Sequence, residues 1–474
     1  MTEAWAVILA AGEGKRMRSQ RAKVLHRFCG QPLIAYPIAL ARTIGAQGII
    51  LVIGHQAHAI RKALGDAPDL CFVEQKEQRG TGHALAVAQD AVPASATELL
   101  LLYADVPLLA PETVARLRQH HRKTRAAATV VTFVPPDPTG YGRIVRRGGP
   151  RGRVIGIVEE RDATPAQRRL REANSGIYCF TPRALWPTLA SVSPDNDQGE
   201  TYLTDVIGLM ARARLRVETI RVEEQTEVAG VNDRRQMARL EGVLRERILA
   251  RLMTDGVTVV DPASTYVDAG VTVGRDSVLY PGVLLEGRTA IGESCVVGAG
   301  CQLTDVTLAD RVTLRPYCVL AGSGVETGAV LGPFAHLRPG SVVRADAKVG
   351  NFVELKKSTV GRRAKVPHLS YVGDATVGEA ANIGAGTITC NYDGEQKHQT
   401  DVGARAFIGT NSSLVAPLRI GDDAYIGAGS VITTDVPPGA LALGRAHQVV
   451  KEGWGARRRV RALGQPAPRP AADH

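Results

Sequence analysis

Aromatic residues make up only 4% of this 474-residue chain, so its cores must be built from aliphatic side chains. Cysteine is sparse as well: seven, scattered, odd in number and without a CxxC pair. That excludes a disulfide framework and a clustered zinc site, and fits a reducing compartment. Long apolar runs are missing. The longest uncharged apolar stretch near the N-terminus, residues 28–41, is too short to span a bilayer and holds two prolines. No segment has the pattern of a signal peptide. The expectation is a soluble, cytoplasmic protein with no membrane partner.

The length corresponds to about three domains. The net charge of +11 admits three partners: nucleic acid, an anionic surface or small anionic substrates. Part of the excess lies in residues 451–474, where six Lys and Arg face two acids. That segment ends in a Pro-rich run, so a solvated, disordered tail is expected over 455–474, with no nucleic-acid role.

The second half carries a six-residue beat. Val273, Leu279, Leu285, Ile291, Val297 and Leu303 are spaced by six, and the beat returns at Ile408, Leu414, Ile420, Ile426 and Ile432. Glycine often follows the apolar residue. Such hexapeptides build a parallel β-helix, each repeat forming one side of a coil and pointing its apolar residue at the axis. The register slips around 305–345 and again at 385–407, where loops are expected to interrupt the coils.

Residues 1–230 read differently. Ala6–Ala10, Ile49–Ile53 and Leu99–Tyr103 are continuous apolar runs, as in buried parallel strands. Helical patterns over Pro32–Ile44, Ala57–Leu64, Thr81–Ala91 and Pro111–Lys123 lie between and after them. An open α/β sheet follows, with ligands at the carboxyl ends of its strands. The amphipathic segment Arg234–Thr254 is a connecting helix. The expected domains are therefore 1–233, a linker helix at 234–254, a β-helix at 255–454 and the tail.

Two strands end in suggestive chemistry. After the first comes Leu9-Ala10-Ala11-Gly12-Glu13-Gly14-Lys15-Arg16-Met17, in which glycines admit a phosphate and Lys15, Arg16 and Lys23 supply charge. By itself this reads equally as a plain turn, and it is neither GxGxxG nor a Walker loop. After the third, Asp105 in Ala104-Asp105-Val106-Pro107 suits a Mg²⁺ ligand or a helix cap. Gln75 followed by Arg79-Gly80-Thr81-Gly82-His83 offers a base-reading amide or a helix start.

Taken together, L-A-A-G-x-G-x-R-M, the nearby lysine, Q…G-T-G-H-A and D-x-P resemble the sugar-nucleotide pyrophosphorylases. Gly140-Tyr-Gly-Arg143, Val158-Glu159, Asn174-Ser-Gly176 and Gly230-Val-Asn232 follow in that family's order. The resemblance implies UTP held by Leu9, Ala10, Ala11, Gly12, Gln75, Gly80, Thr81 and Tyr103. It implies Arg16 and Lys23 as catalytic cations on the phosphates. Gly140, Glu159 and Asn174 would face an amino sugar, and Asp105 and Asn232 would bind Mg²⁺. Two residues depart from the family pattern: Lys15 stands where Thr is usual, and Ala104 where Gly precedes the aspartate. The Ala104 methyl is expected to crowd the sugar if the backbone passes close.

In the β-helix, Arg338, Lys356 and His368 form an anion-binding group with a base suited to neutral pH. A lone His is more often structural. Yet Pro367-His368-Leu-Ser-Tyr371-Val-Gly-Asp374 and Asn382-Ile-Gly-Ala385-Gly-Thr-Ile-Thr-Cys-Asn391-Tyr392-Asp-Gly394, with the first-half motifs, resemble one bacterial family over residues 5–454. Its members join a UDP-N-acetylglucosamine pyrophosphorylase to a glucosamine-1-phosphate N-acetyltransferase. That resemblance implies a left-handed β-helix, His368 as general base and a sugar phosphate on Arg338, Lys356, Tyr371 and Asn382. It places acetyl-CoA against Ala385, Asn391, Tyr392, Thr410, Ala428 and Arg445, and implies a homotrimer. Thr410 replaces a more usual Ser, and Pro367 is unusual before the histidine. The rival readings are a pyrophosphorylase with a merely regulatory β-helix, and a catalytically dead regulatory subunit.

Overall fold

The computed structural model describes residues 3–193 and 199–463. It divides into two compact units, Met1–Thr272 with Leu284–Thr289, and Val273–Val283 with Ala290–His474.

The first unit is an open sheet flanked by helices. Its strands are β1 (Ala4–Ala10), β2 (Gly48–Ile53), β3 (Leu70–Glu74), β4 (Glu98–Tyr103), β5 (Ala128–Phe133), β6 (Arg143–Arg147), β7 (Arg153–Val158), β8 (Ala173–Phe180) and β9 (Val217–Arg221). Their order is β9-β5-β8-β4-β1-β2-β3. β1 runs parallel to β2 and β4, as the apolar runs predict, whereas β8 enters antiparallel between β4 and β5. Hairpin β6–β7 joins through Ala173 and Arg143. Side chains alternate between two cores. Ile8, Leu51 and Leu102 fill one face, and Val7, Ile50 and Leu101 the other. Each such aliphatic side chain contributes about 1.5–3 kcal/mol when fully buried.

Helices span Ala35–Thr43, Ala57–Leu64, Thr81–Ala86 and Pro111–Thr124. The first starts later than expected because Gln31 and Pro32 pair with Phe28 and Arg27 in a short ribbon. The third stops at Ala86, and a 3₁₀ turn, Gln89–Ala91, replaces its expected last turn. Among the described residues, no helix is long and apolar enough to cross a membrane.

A helix covers Arg234–Thr254, capped by the Asp233 carboxylate, which accepts from the Gln236 amide at 2.8 Å. Leu240, Val243 and Leu244 pack with Phe28, Leu33, Leu108 and Val231. The unit continues beyond this helix: Ala269 N donates to Cys29 O at 3.0 Å, and the Arg245 guanidinium lies 4.2 Å over the Tyr266 ring.

The second unit is a left-handed parallel β-helix. Strands of two to four residues stack in three parallel sheets. Leu303, Leu308, Leu314, Leu320, Val325, Leu331, Leu337 and Val343 point inward and are at most 2% exposed. Their spacing drops from six to five at two steps. The slip expected to be a loop near 305–345 is therefore only two shortened sides, and the coils run on without interruption. The second slip is a loop. Thr389 and Val402 point inward on successive sides, and residues 391–399 project between them.

One corner of every coil takes a left-handed backbone, at Tyr317, Phe334, Phe352, Leu369, Gly386, Asn411 and Gly429 (φ between 48° and 72° up to Gly386, 57° at Asn411, 74° at Gly429). The residues just before them form a column through Asn351, His368, Ala385, Thr410 and Ala428. The carbonyls of Asn351, His368, Ala385 and Thr410 each accept from the amide of the left-handed residue one coil on.

The tail also differs from expectation. Trp454–Ala462 is helical, because the stretch holds good helix formers, no proline, and Gly453 at its N-cap. Residues 464–474 of the expected tail lie outside the described residues.

Candidate active sites

The first cleft opens at the carboxyl ends of β1 and β4 and measures about 300 Å³. Leu9, Ala10, Ala11, Gly12, Lys23, Gln75, Gly80, Thr81, Tyr103 and Asp105, all singled out in the sequence, line it. Gln78 and Glu200 also border it and were missed. Gln78 Nε2 donates to Ala11 O at 2.9 Å and so ties the glycine turn to the next loop. Its side chain lies three residues beyond Gln75, in no recognisable motif.

The glycines differ in kind. Gly80 has φ +99°, and a Cβ there would stand 2.7 Å from Thr201 O. The fold itself requires that glycine. At Gly12 a Cβ would meet no protein atom within 4 Å, although the residue lines the cleft. Gln75 is 4% exposed, and its Nε2 lies 3.0 Å from His83 Nδ1 and 3.3 Å from Gly80 O. Its Oε1 is thereby the acceptor available to a ligand.

A second cavity of about 230 Å³, lined by Glu13, Gly14, Lys15, Arg16, Lys23 and Asn232, shares Lys23 with the first. Lys23 Nζ bonds Asp105 Oδ2 at 2.5 Å, and Arg16 Nη2 donates to Asn232 Oδ1 at 3.1 Å. A Cβ on Gly230 would lie 3.7 Å from both Asp105 Oδ2 and Asn232 Nδ2. The Asp105 carboxylate and the Asn232 amide thus both lie beside Gly230, each bonded to a cation. The set suits a hard divalent cation that keeps most of its ligands as water and phosphate oxygen. Among the described residues no group of three or more His, Cys, Asp or Glu side chains forms a metal cage.

Lys15 pairs with Glu13 at 2.5 Å, which offsets its added charge. Ala104 lines the first cleft, although it is 1% exposed and belongs to the apolar cluster with Ala10 and Leu102.

Glu159 and Asn174 come together across Gly142. Asn174 N donates to Gly142 O at 2.8 Å, and a Cβ on Gly142 would lie 3.5 Å from the Glu159 carboxylate. Thr204, missed in the sequence, donates to Glu159 Oε1 at 2.9 Å. Burial raises the Glu159 carboxyl above its ordinary value, against that hydrogen bond. Burial also raises the Tyr103 phenol. Gly140 approaches through its amide, 3.4 Å from Glu160 Oε2.

The second site lies on the β-helix. His368 ends strand Lys365–His368, in register with Asn351 one coil earlier. Asn351 Oδ1 accepts a hydrogen bond from His368 Nδ1. The neutral ring then carries its lone pair on Nε2. Asn351 was visible in the sequence, but only the 17-residue coil length places it under the histidine. Pro367 lacks an amide proton, and the pairing of these strands lapses at Gly350 and Pro367. A Cβ on Gly350 would stand 1.7 Å from Pro367 O, so glycine there makes room for that backbone carbonyl.

Lys356 is 8% exposed and bonds Asp374 Oδ2 at 2.8 Å, and Asn391 Nδ2 donates to the same oxygen. Tyr371 arches over Gly373, its hydroxyl 3.5 Å from Asn391 Nδ2. Asp374 holds the Lys356 ammonium above its ordinary value, and Lys356 in turn depresses that of Lys397. Two lysines thus stand close enough to repel, which marks a place for an anion. Lys397 was not singled out in the sequence. Arg338 Nη1 bonds Glu354 Oε1 at 3.2 Å, and Glu354 pairs with Tyr371. Asn382 pairs with Lys365 on one side and Phe407 on the other, in the β-helix sheet that carries His368.

Ala385, Thr410 and Ala428 occupy the corner column above His368, and Arg445 Nη1 donates to Ala428 O at 2.8 Å. Tyr392 lies on the projecting loop, 59% exposed, and its hydroxyl donates to Gly394 O at 2.5 Å. That loop is shaped in advance by Asp393, which accepts from the amides of Glu395 and Gln396 and pairs with His398 at 2.6 Å.

Known proteins share both halves. A MobA-like NTP transferase domain matches residues 6–206, and a hexapeptide repeat of succinyl-transferase matches residues 399–434. Proteins named bifunctional protein GlmU are similar along nearly the whole chain. That of Brevibacillus brevis is 47% identical over 451 residues, covering 95% of this chain and 97% of the relative. That of Anaeromyxobacter sp. is 50% identical over 478 residues, covering 98% and 96%. That of Fervidobacterium nodosum is 46% identical over 453 residues, covering 96% and 97%.

Proposed function

The chain belongs to the family of bifunctional GlmU proteins, and from that premise we propose how its residues divide two transfers between two folds. The β-helix moves an acetyl group from acetyl-CoA to the amine of glucosamine-1-phosphate. The α/β unit moves a uridylyl group from UTP to the resulting N-acetylglucosamine-1-phosphate. The products are UDP-N-acetylglucosamine and pyrophosphate, and the former serves peptidoglycan and lipopolysaccharide precursors in the cytoplasm.

In acetyl transfer, His368 Nε2 takes the proton of the amine as its nitrogen attacks the thioester carbonyl. The tetrahedral species collapses, the C–S bond breaks, and the proton leaves with the coenzyme A thiol. No acyl-enzyme is needed. Lys356, Arg338 and Tyr371 hold the phosphate, with Lys397 beside them, and Asn382 the sugar. Ala385, Asn391, Tyr392, Thr410, Ala428 and Arg445 line the coenzyme's path along the corner column.

In uridylyl transfer, Gln75 Oε1 accepts from the uracil N3–H, and the backbone of Leu9–Gly12 lies along the nucleotide. Thr81 and Tyr103 close the walls of that pocket. Gly140, Glu159 and Asn174 orient the amino sugar so that its phosphate oxygen meets the α-phosphorus in line. Arg16 and Lys23 neutralise charge as pyrophosphate departs. Mg²⁺ held by Asp105 and Asn232 would neutralise charge between the two anions.

A homotrimer completes this reading. Tyr317, Phe334 and Phe352 stack with centroids 5.3 and 5.0 Å apart, each about half exposed, and Leu369 extends the stripe. These residues directly follow the corner column that carries Asn351 and His368. An exposed apolar ladder beside a half-built site is what a neighbouring copy would cover.

The Asn351–His368 pair carries the reading, because a merely regulatory β-helix has no use for an oriented imidazole. The test is release of free thiol from acetyl-CoA on adding glucosamine-1-phosphate, with His368→Ala alongside. Sugar-dependent release that His368→Ala abolishes supports it. No release from the folded wild type would leave a plain nucleotidyltransferase.

A further inference from the structure

The first unit has a concavity larger than the nucleotide cleft. It measures about 720 Å³ and lies where hairpin β6–β7 leans against β9. The two clefts share no lining residue. β4, which carries Tyr103, is separated from β9 by β8 and β5. Three strand spacings amount to about 14 Å.

Its walls carry Arg146, Arg151, Arg171 and Arg221 against Glu172 and Glu218. The acids are already engaged. Both oxygens of Glu172 accept from Arg146, at 2.7 and 2.6 Å. Glu218 accepts from Arg216 at 2.7 Å and lies 3.4 Å from His120. Among the described residues, no carboxylate pairs with Arg151 or Arg171, and Arg171 donates only to Pro136 O at 3.3 Å. Arg221 has one acid, the largely exposed Glu223 at 3.5 Å. Three guanidinium groups with little or no acidic company therefore border one concavity, where a low-dielectric wall strengthens their field. Guanidinium is the side chain best shaped to hold phosphate in a bidentate way.

The floor is apolar. Val134 is 42% and Leu170 36% exposed, and Ile144 lies between the polar walls. The turn Gly148-Gly149-Pro150-Arg151-Gly152 closes one side. Gly148 and Gly149 have φ near +90°, and a Cβ on Gly152 would lie 1.9 Å from Arg147 O, so the turn depends on glycine to present Arg151. The volume suits a body the size of a nucleotide.

We propose that this cleft is a second, non-catalytic binding site for a phosphorylated small molecule, its phosphates on Arg151, Arg171 and Arg221 and its organic body on Val134 and Leu170. Nucleotide sugars and coenzyme A both present that chemistry.

Hydrogen exchange on the full-length protein tests the site, with three probes: pyrophosphate, UDP-N-acetylglucosamine and coenzyme A. Either organic probe should slow exchange at 148–153 and 170–172 more than pyrophosphate does, and the one that does so identifies the source. Arg151→Glu with Arg171→Glu should weaken that protection at least tenfold, leaving uridylyl transfer without effector unchanged. If the charge reversals unfold the chain, Arg151→Ala with Arg171→Ala serves instead. Protection that persists in the folded double variant would trace to the catalytic cleft and overturn the proposal. So would protection by pyrophosphate equal to that by both organic probes, or none by any of the three.

Discussion

Asn351 Oδ1 accepts a hydrogen bond from His368 Nδ1 across one turn of the β-helix, and this fixes which ring nitrogen is free. Asn351→Ala should release the imidazole to rotate and to change tautomer. Acetyl transfer is expected to fall about 10–100-fold in kcat, as when the orienting partner of a functional histidine is lost. The KM for acetyl-CoA should change little and uridylyl transfer not at all, both measured by separate steady-state assays.

The two transfers should separate cleanly by mutation. Asp105→Ala removes an oxygen from the point between Lys23 and Gly230 and should cost uridylyl transfer about 10³-fold or more. Acetyl transfer should survive it, and His368→Ala should give the reverse. A single substitution that disabled both activities in folded protein would sink the two-site assignment.

Two glycines of the first cleft should respond differently to a methyl group. Gly12→Ala meets no protein atom, so its melting temperature should match the wild type while the KM for UTP rises at least tenfold. Gly80→Ala must adopt φ +99° against Thr201 O, so it should lose about 1–3 kcal/mol of stability as well as nucleotide affinity. Thermal melts beside UTP titrations distinguish the two.

Acid should weaken the first unit through Glu98, which is 3% exposed. Burial raises its carboxyl, but hydrogen bonds from Arg122 and Arg118 prevail and hold it below the ordinary 4.5. As pH falls, the unfolded chain takes up the proton first, so the stability present above 4.5 is lost as pH drops through the depressed value. Glu98→Gln should cost about 3 kcal/mol at neutral pH, where it strands the two arginines. Melts recorded from pH 6 to 3 should show the gap between variant and wild type closing toward the acid end.

Phe334→Asp places a charge in the middle of the exposed aromatic ladder. It should convert a trimer to monomers by light scattering and lower acetyl transfer more than tenfold, with uridylyl transfer retained. A variant that stays trimeric and fully active would remove the ladder from the proposed interface.

The sequence made the element types plain where one residue pattern decides them. Ala57–Leu64 and Arg234–Thr254 fall where helical spacing places them, and the inward column of the β-helix follows from the hexapeptide beat. The glycine turn, Gln75 and Asp105 converge on one cleft because strand ends in a parallel sheet lie on one side. What stayed hidden depends on coil arithmetic and on contacts between distant segments. The stretch 305–345 looks like a break in sequence but only shortens two sides of the coil. Asn351 reaches His368, and Lys397 reaches Lys356, only through stacking. Gln78 and Thr204 act through single hydrogen bonds that no motif encodes. The helix Trp454–Ala462 was obscured by the proline-rich residues that follow it.

The corner column has a further consequence. A solenoid contacts only its nearest turns, so it loosens from its ends inward. Ala428 and Arg445 belong to the last turns, whereas Asn351 and His368 sit between complete neighbours on both sides. Mild heat or denaturant should therefore erode the grip on the acetyl donor before it disturbs the base. Partial melting would show first as a rising KM for acetyl-CoA at constant kcat.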